Sequence, residues 1–353
     1  MKLDSRSFAG KTVFIGIDVH KATYSVVAVC EGDVVLKIGS MPASADKLLE
    51  LMKKRFADAR LETAYEAGFS GFGLCRSLRT AGVGCLVVHA ASIEVAANDR
   101  VKTDKRDATK IALHLARGAL KGIRVPSLEE ELRRQLTRTR FQLIKERTRL
   151  GNKIKSKLFQ FGYIEPTDDR VMSGKLLKEI RRLPLPSELS TAIGIIADLW
   201  EAVQQKVEEL DDAIDEQAKK EPQLERIYRS TPGVGRLIAR TLANEIGDMS
   251  QFRNARELYS FVGLTPAEYS SGPNERKGHI TKQGSGLLRC LLVEAAWMAK
   301  TKDPALAAVY DRLKITRGGK RAIVAVARRL VGRIRSCLQT GTPYELNYRG
   351  KCA

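Results

Sequence analysis

The first third of the chain alternates short apolar runs with helical patterns, and this alternation constrains the fold more than any other feature. Three β-branched runs, at Thr12 to Ile17, Tyr24 to Cys30 and Val34 to Ile38, predict strands, and the Glu31-Gly32-Asp33 link predicts a tight hairpin. Helical and strand patterns then alternate at Ser44 to Ala57, Leu61 to Tyr65, Gly71 to Thr80, Gly84 to Val88 and from Ser92 onward. Three meandering strands followed by alternating helices and strands predict an α/β domain with an RNase-H-like sheet.

Acidic residues stand where predicted strands end. Asp18 ends the first strand and Glu66 the fourth, so both are expected at the carboxyl edge of the sheet, where α/β proteins build their sites. Asp104 and Asp107 are three residues apart, a spacing that puts both on one face of a helix. Taken singly, such residues are also common as turn caps, helix caps or surface ion pairs.

These four acids together predict a metal site. Four neighbouring carboxylates repel each other unless divalent cations neutralise them, and Mg²⁺ or Mn²⁺ prefers oxygen ligands. Two such ions about 4 Å apart activate the attacking oxygen and stabilise the leaving oxygen in phosphodiester chemistry. Asp18, Glu66, Asp104 and Asp107 are therefore predicted to be both metal ligands and catalytic residues.

The charge of the chain favours a polyanionic partner. Its 353 residues include 61 Lys and Arg against 41 Asp and Glu, a formal net charge of +20. Such an excess favours nucleic acid, with general basicity kept for solubility as the alternative. No Gly-x-x-x-x-Gly-Lys-Ser/Thr motif occurs, so chemistry driven by a bound nucleoside triphosphate is not predicted.

Cysteine spacing and hydropathy bear on the compartment. None of the six cysteines forms a C-x-x-C pair, so neither a structural zinc nor disulfides are predicted. The first residues are polar, without the apolar core of a signal peptide, and no apolar run approaches the ~20 residues of a membrane span. We expect a cytoplasmic protein.

The middle of the chain has a helical pattern. From Leu128 to Phe161 apolar residues recur about every 3.5 residues, and a second helical pattern runs from Ile196 to Gln217, beyond Pro184 and Pro186. An antiparallel helical or coiled-coil insert is predicted, with a simple helical bundle as the alternative. The expected contact positions are Leu132, Leu136, Leu143, Leu150, Ile154 and Leu158 on the first helix and Ile196, Leu199, Val203, Val207, Leu210, Ile214 and Gln217 on the second.

Basic residues crowd the other faces of the first of these helices. They are Arg133, Arg134, Arg138, Arg140, Lys145, Arg147, Arg149, Lys153, Lys155 and Lys157. If they contact phosphates, the affinity for nucleic acid should fall steeply with salt, and replacing Arg138, Arg147 and Lys155 should flatten that dependence. A solvated, functionless charge is the alternative.

From Ser230 onward the pattern is helical and punctuated by glycine. The Thr231 to Gly235 turn is similar to a helix-hairpin-helix turn, which binds phosphate through backbone amides, with a plain helix cap as the alternative. Gly263 to Gly286 is a polar segment that contains Ser270 and Ser271. Arg276, Lys277 and Lys282 in this segment could hold a scissile phosphate, but a serine hydroxyl needs a base or metal to become a nucleophile. An ordinary loop is the alternative.

Several separated motifs resemble those of the DEDD transposases of insertion-sequence family 110. The resemblance covers nearly the whole chain, with one small departure where many members have Thr-Gly and this chain has Ala67-Gly68-Phe69. The motifs are Gly16-Ile17-Asp18-Val19-His20-Lys21, Tyr65-Glu66-Ala67-Gly68, Lys102-Thr103-Asp104-Lys105-Arg106-Asp107-Ala108, Thr231-Pro232-Gly233-Val234-Gly235, Gly263-Leu264-Thr265-Pro266 and Tyr269-Ser270-Ser271-Gly272.

The resemblance implies a domain plan and a mechanism. It implies a RuvC-like DEDD catalytic domain in residues 1–125, a helical or coiled-coil region in residues 126–228 and a helical C-terminal transposase domain in residues 229–353. Aligning the last motif with the family pattern places a catalytic nucleophile at Ser271, next to Ser270. The resemblance also implies donor and target DNA, a noncoding bridge RNA that pairs with both, and a homo-oligomer.

Three functions are compatible with these observations. The first is a serine-dependent, Mg²⁺-assisted transposase, in which transesterification conserves the bond energy. The second is a hydrolytic junction resolvase that uses the same carboxylates with water. The third is a catalytically inert scaffold that binds RNA or DNA. Cleavage in Mg²⁺ but not in EDTA separates the enzymes from the scaffold, and a covalent protein–DNA adduct separates the transposase from the resolvase.

Overall fold

The computed structural model describes residues 7–89, 104–268 and 277–347. The chain divides into two compact units, Met1–Ser127 and Leu128–Ala353. The further division of the second unit near residue 228 stays a prediction. No helix in the described residues is both long and apolar enough to cross a membrane.

The first unit is built on a five-stranded sheet with the strand order β3-β2-β1-β4-β5. β1, β2 and β3 form an antiparallel meander, and β4 and β5 run parallel to β1. The strand order agrees with the predicted RNase-H-like sheet, and most strands extend a residue or more beyond their sequence patterns. The elements are β1 (Thr12–Val19), β2 (Thr23–Cys30), β3 (Asp33–Pro42), α1 (Ala45–Arg55), β4 (Arg60–Glu66), α2 (Gly73–Thr80), β5 (Gly84–Val88) and α3 (Asp104–Ala116).

The hairpin turn and the helix cap predicted in this unit are both present. Glu31 and Gly32 connect β2 and β3 with φ angles of 52° and 90°, and positive φ at both central residues makes the type I′ turn whose twist suits a hairpin. Ser44 caps α1, since its hydroxyl accepts a hydrogen bond from the Lys47 amide. Ser92, the predicted beginning of the next helix, lies outside the described residues.

Helices cover both faces of the sheet. Because side chains alternate along a strand, Val13, Ile15 and Ile17 of β1 join a core on one face together with Leu48 and Met52 of α1. On the opposite face, small clusters join the sheet to α3 through Ala108, Ile111, Ala112 and Leu115, which contact Val27, Val29 and Ala64. The sheet therefore has α1 and α2 on one side and α3 on the other.

The second unit is mostly helical. Its largest core is formed by the helices from α7 to α12. The elements are α4 (Leu128–Gln160), α5 (Gly174–Ile180), α6 (Ser187–Lys219), α7 (Pro222–Ser230), α8 (Arg236–Ile246), α9 (Ala255–Phe261), β6 (Pro266–Glu268), β7 (Lys277–Ile280), α10 (Gly286–Lys302), α11 (Pro304–Arg317) and α12 (Gly319–Thr340).

The long helices α4 and α6 pack antiparallel. Arg140 of α4 pairs with Asp211 of α6, and one heptad later Arg147 donates to Gln204. The predicted antiparallel pair of helices is thus present, and its interpretation as a coiled coil or as an insert between domains stays a prediction. Two expected contact positions are wrong, since Leu132 is 60% and Leu199 52% exposed.

The contact face of α4 changes along its length, which explains the error at Leu132. Near its beginning α4 packs against α8, where Arg134 donates to the Asn244 carbonyl and Thr137 is buried. Near its end Ile154 and Leu158 are buried in a core shared with α5 and α6. One uninterrupted heptad pattern cannot describe a helix with two different neighbours.

The sequence predicts a helical C-terminal region, but this region also contains two short strands. β6 and β7 form a two-stranded antiparallel sheet, with Pro266 opposite Ile280. The strands are three and four residues long, too short to give an alternating apolar pattern. The Gly263 to Gly286 segment, interpreted as a polar stretch between helices, therefore contains strands at both sides of residues 269–276.

Candidate active site

Asp18 and Glu66 end neighbouring parallel strands. In the register of β1 and β4, Ile17 lies opposite Tyr65, and Asp18 and Glu66 are the next residue on each strand. Glu66 is exposed, whereas the Asp18 side chain is 20% exposed. The structure thus places both acids at the carboxyl edge of the sheet.

Both acids also belong to the face of the sheet that α3 covers. Ala64 of β4 packs with Ile111 and Leu115 of α3, and side chains two residues apart on a strand point to the same face. Glu66, two residues after Ala64, therefore shares the α3 face. Asp18 does so as well, because it lies two residues after Gly16, whose missing side chain would point at α3.

Gly16 allows α3 to lie directly on β1. A Cβ at this position would stand 2.2 Å from the Ala108 carbonyl oxygen and 2.5 Å from the Ala112 amide nitrogen. Real Cβ atoms do not approach backbone atoms so closely, so glycine is required here for steric reasons. The helix is thereby held against the strand two residues before Asp18.

The first turn of α3 carries the other two acids. Asp104 is the first residue of α3, one turn before Ala108, and Asp107 directly precedes Ala108. Ala108 lies over Gly16, while Ile111 and Leu115 pack in a cluster with Phe14, nearer the beginning of β1. The N-terminal turn of α3 therefore points toward the end of the sheet that holds Asp18. The side chain of Asp104 lies outside the described residues.

The backbone thus brings the four predicted ligands to one end of the domain. Among the described side chains, no three of His, Cys, Asp or Glu lie close enough together to hold a metal ion. Asp18, Glu66 and Asp107 belong to those side chains and Asp104 does not. The donor chemistry fits a hard divalent cation, since carboxylate oxygens are the ligands that Mg²⁺ and Mn²⁺ prefer.

His20 contacts this site, although the sequence predicts a loop residue outside the ligand set. It follows β1 as expected, and its Nε2 lies 3.2 Å from Oδ2 of Asp18. A histidine beside a carboxylate can orient it or add positive charge to it. The signal in the sequence is the spacing of two residues from Asp18, which puts both on one face where the strand direction continues.

Most of the arginines predicted to bind phosphates on α4 have acidic partners inside the second unit. Arg138 makes two hydrogen bonds to Glu245, at 2.5 and 2.7 Å, and the Glu245 side chain is only 4% exposed. Arg133 pairs with Glu129 and Glu221, Arg140 with Asp211 and Arg149 with Glu146.

Arg138, Arg147 and Lys155, whose replacement is predicted to flatten the salt dependence, also have partners inside the second unit. Arg138 pairs with Glu245, Arg147 donates to Gln204, and Lys155 donates to the carbonyls of Asp168 and Arg170 at 2.8 Å. Replacing them would change the folding of α4 as well as its charge. These three residues lie on contact faces because α4 packs against α6, α8 and the segment that follows it.

In the turn before α8, Gly233 is required for steric reasons and Gly235 is not. Gly233 has a φ of 81°, and a Cβ there would stand 2.3 Å from the Ala295 carbonyl oxygen of α10. Gly235 is the N-cap of α8 and gives it no side-chain cap. The phosphate-binding role of this turn stays a prediction. Ser270 and Ser271 lie in residues 269–276, outside the described residues.

Comparisons with known proteins agree in the kind of enzyme they indicate. A family model described as a transposase, of the DEDD type and insertion-sequence family 110, matches residues 15–162. A second, described as the transposase IS116/IS110/IS902 family, matches residues 225–311. The first match spans all four predicted carboxylate ligands.

Individual relatives carry the same description. A putative transposase of Sinorhizobium fredii is 30% identical over 300 residues, which cover 81% of this chain and 72% of the relative. The transposase of insertion sequence element IS1111A of Coxiella burnetii is 31% identical over 242 residues, 65% of this chain and 64% of the relative. A second Sinorhizobium fredii putative transposase is 27% identical and covers 90% of both chains.

Proposed function

Because the chain belongs to the IS110 family of DEDD transposases, which cut and rejoin DNA, we propose that it does so with a carboxylate-bound metal and a serine nucleophile. The proposed ligands are Asp18, Glu66, Asp104 and Asp107, and the proposed nucleophile is Ser271. The observation that carries the proposal is the convergence of β1, β4 and α3 at one edge of the sheet, enforced by Gly16.

The DEDD domain of the family implies a divalent metal, and we assign Mg²⁺ or Mn²⁺ on the chemistry of the donors. The metal would supply positive charge at the scissile phosphate and lower the pKa of an attacking hydroxyl. Asp18 and Glu66 would hold it from the strand ends, and Asp104 and Asp107 from the first turn of α3. His20 would orient the Asp18 carboxylate through its contact at 3.2 Å.

The serine would exchange one phosphate ester for another. The Ser271 Oγ forms a bond to phosphorus, one P–O bond of the DNA strand breaks, and the proton lost by the serine balances the proton gained by the leaving hydroxyl. Attack by the hydroxyl of a second strand reverses these steps and frees Ser271. Each step breaks one phosphate ester bond and forms another, so strand exchange needs no nucleoside triphosphate.

We further propose the assembly and partners that the family resemblance implies. Donor and target DNA would be selected by base pairing to a noncoding bridge RNA, and the enzyme would act as a homo-oligomer in the cytoplasm. Because the family cuts and rejoins DNA, the inert scaffold is disfavoured. The remaining alternative for the strand-cutting step is hydrolysis with water by the same carboxylates, as in a junction resolvase.

A covalent adduct tests the serine directly. The wild type, Ser271→Ala and Ser270→Ala, each purified together with the RNA that binds it, are incubated in Mg²⁺ with a plasmid that carries the gene and its native flanking DNA, then denatured. We expect a denaturation-resistant protein–DNA adduct with the wild type and with Ser270→Ala, and none with Ser271→Ala. An adduct lost only in Ser270→Ala shifts the nucleophile by one residue, and cleavage without any adduct supports the resolvase.

A further inference from the structure

The end of α11 and the beginning of α12 hold a cluster of cations that have no internal partners among the described residues. We define the basic turn as residues 312–321, the end of α11 and the beginning of α12. Its cations are Arg312, Lys314, Arg317, Lys320 and Arg321. All five are exposed, and Asp311, just before the segment, is the nearest acid in the sequence.

None of these five cations makes a hydrogen bond or ion pair within the described part of the chain, in contrast to the arginines of α4. An ion pair with a carboxylate both neutralises a cation and fixes its direction, so Arg138 and Arg140 are engaged already. The cations of the basic turn keep their full charge for an outside partner. A cluster of this kind attracts polyanions by neutralising their phosphates and releasing condensed counterions.

The backbone of the basic turn adds to this charge. Gly318 alone connects the two helices, with a φ of 77°, and a Cβ there would meet nothing within 4 Å. It is also the N-cap of α12 and gives the 22-residue helix no side-chain cap. The amides of the first turn of α12 therefore have no capping side chain, and glycine at the apex lets a phosphate approach them closely.

An exposed aliphatic side chain stands among these cations. Ile315 is 87% exposed, more than any other large hydrophobic residue in the described segments. A nucleic acid docked on the basic turn would cover this side chain with sugar atoms or base edges. The polar and apolar features of the turn thus favour the same kind of partner.

We propose that the basic turn binds the phosphate backbone of duplex DNA during transposition. DNA is chosen over RNA because the family acts on DNA. The contact would be independent of sequence, since phosphates position a protein on the duplex without specifying bases. It lies outside the carboxylate site, so it can be tested without cleavage.

The test is binding to a labelled duplex of random sequence, about 30 base pairs long, in EDTA over a range of KCl concentrations. The variant is Arg317→Ala, Lys320→Ala and Arg321→Ala together. If each cation neutralises one phosphate, the slope of log affinity against log salt becomes shallower by about three. Between about 50 and about 200 mM KCl, the loss of affinity should then be roughly 40-fold smaller than for the wild type.

A matched triple variant controls for net charge. Lys175→Ala, Lys178→Ala and Arg182→Ala removes the same charge from exposed positions on and just after α5, in the same unit, and we expect its slope to stay near that of the wild type. An equal loss in both triples would mean that net charge alone drives binding, and would overturn the proposal. So would an unchanged slope in the basic-turn variant.

A duplex RNA of the same length forms the last arm. A basic-turn variant that loses affinity for the RNA and keeps it for the DNA would also overturn the proposal. Because EDTA removes metal chemistry from every arm, failure here would leave the proposed carboxylate and serine mechanism untouched. Conversely, an inactive carboxylate site would leave this binding unchanged.

Discussion

Replacing Gly16 by alanine should separate the position of α3 from the chemistry of its acids. The new Cβ would lie 2.2 Å from the Ala108 carbonyl oxygen and 2.5 Å from the Ala112 amide nitrogen, against about 3.4 Å for an ordinary contact. Both partners are backbone atoms of a helix, so they cannot rotate away as a side chain would. The helix must retreat from β1 by about 1 Å, and overpacking of this kind costs about 1–3 kcal/mol.

The same displacement should affect cleavage more than stability. Domain stabilities of about 5–15 kcal/mol leave the variant folded, but Asp104 and Asp107 move with the helix while Asp18 and Glu66 stay on the sheet. A misplacement of about 1 Å at reacting groups costs roughly 100-fold in rate. We therefore expect Gly16→Ala to lower the urea midpoint modestly and to reduce plasmid cleavage by about two orders of magnitude.

Gly73→Ala is the matched control for this experiment. Gly73 begins α2 and has nothing within 4 Å of an added Cβ, so alanine there should keep or slightly raise stability. Cleavage by this variant should equal that of the wild type. The steric reasoning is refuted if Gly16→Ala also unfolds at the wild-type urea concentration and cleaves at the wild-type rate.

Two predictions concern the second unit. Arg138→Ala leaves the buried Glu245 without its two hydrogen bonds, so the free energy of unfolding should fall by about 2 kcal/mol; an unchanged urea midpoint would mean that solvent replaces the arginine. Burial disfavours ionised Asp303, but the Tyr344 hydroxyl and the Arg333 guanidinium outweigh it and lower the pKa of Asp303 below its usual value. A lowered pKa in the folded state stabilises the protein above about pH 4, and this contribution is lost as the pH falls through the folded pKa. The stability difference between the wild type and Asp303→Asn should therefore shrink on acidification below about pH 4; a difference that stays constant would contradict this assignment.

The sheet was predictable because its signals are local and mutually consistent. The Glu31-Gly32 turn fixes the first hairpin, and apolar runs mark each strand closely enough to place Asp18 and Glu66 at strand ends. The same patterns could not reveal that Gly16 touches α3, because the contact joins residues about 90 positions apart. A glycine inside a buried apolar strand was the available signal, since such a residue often marks the close approach of another backbone.

The roles of the basic residues in the second unit were harder to predict, because an arginine can bind either a phosphate or an internal carboxylate. Sequence alone cannot tell whether Arg138 meets a phosphate or the carboxylate of Glu245, which lies 107 residues away along the chain. In the structure, most arginines of α4 are paired with internal carboxylates, whereas the cations of the basic turn are exposed. The short strands β6 and β7 were missed for a different reason, since three or four residues show no periodicity.

The most direct measurement of the carboxylate site is cleavage of the plasmid with native flanking DNA by Asp18→Asn and Asp107→Asn, with Mg²⁺ and with EDTA. Asparagine keeps the size of the side chain and removes the charge that a divalent cation requires. Both variants should fold as the wild type does, bind DNA in EDTA with its salt dependence, and cut no strand in Mg²⁺. Full Mg²⁺-dependent cleavage by either variant would remove that residue from the site, and full cleavage by both would contradict the metal-dependent mechanism at this edge of the sheet.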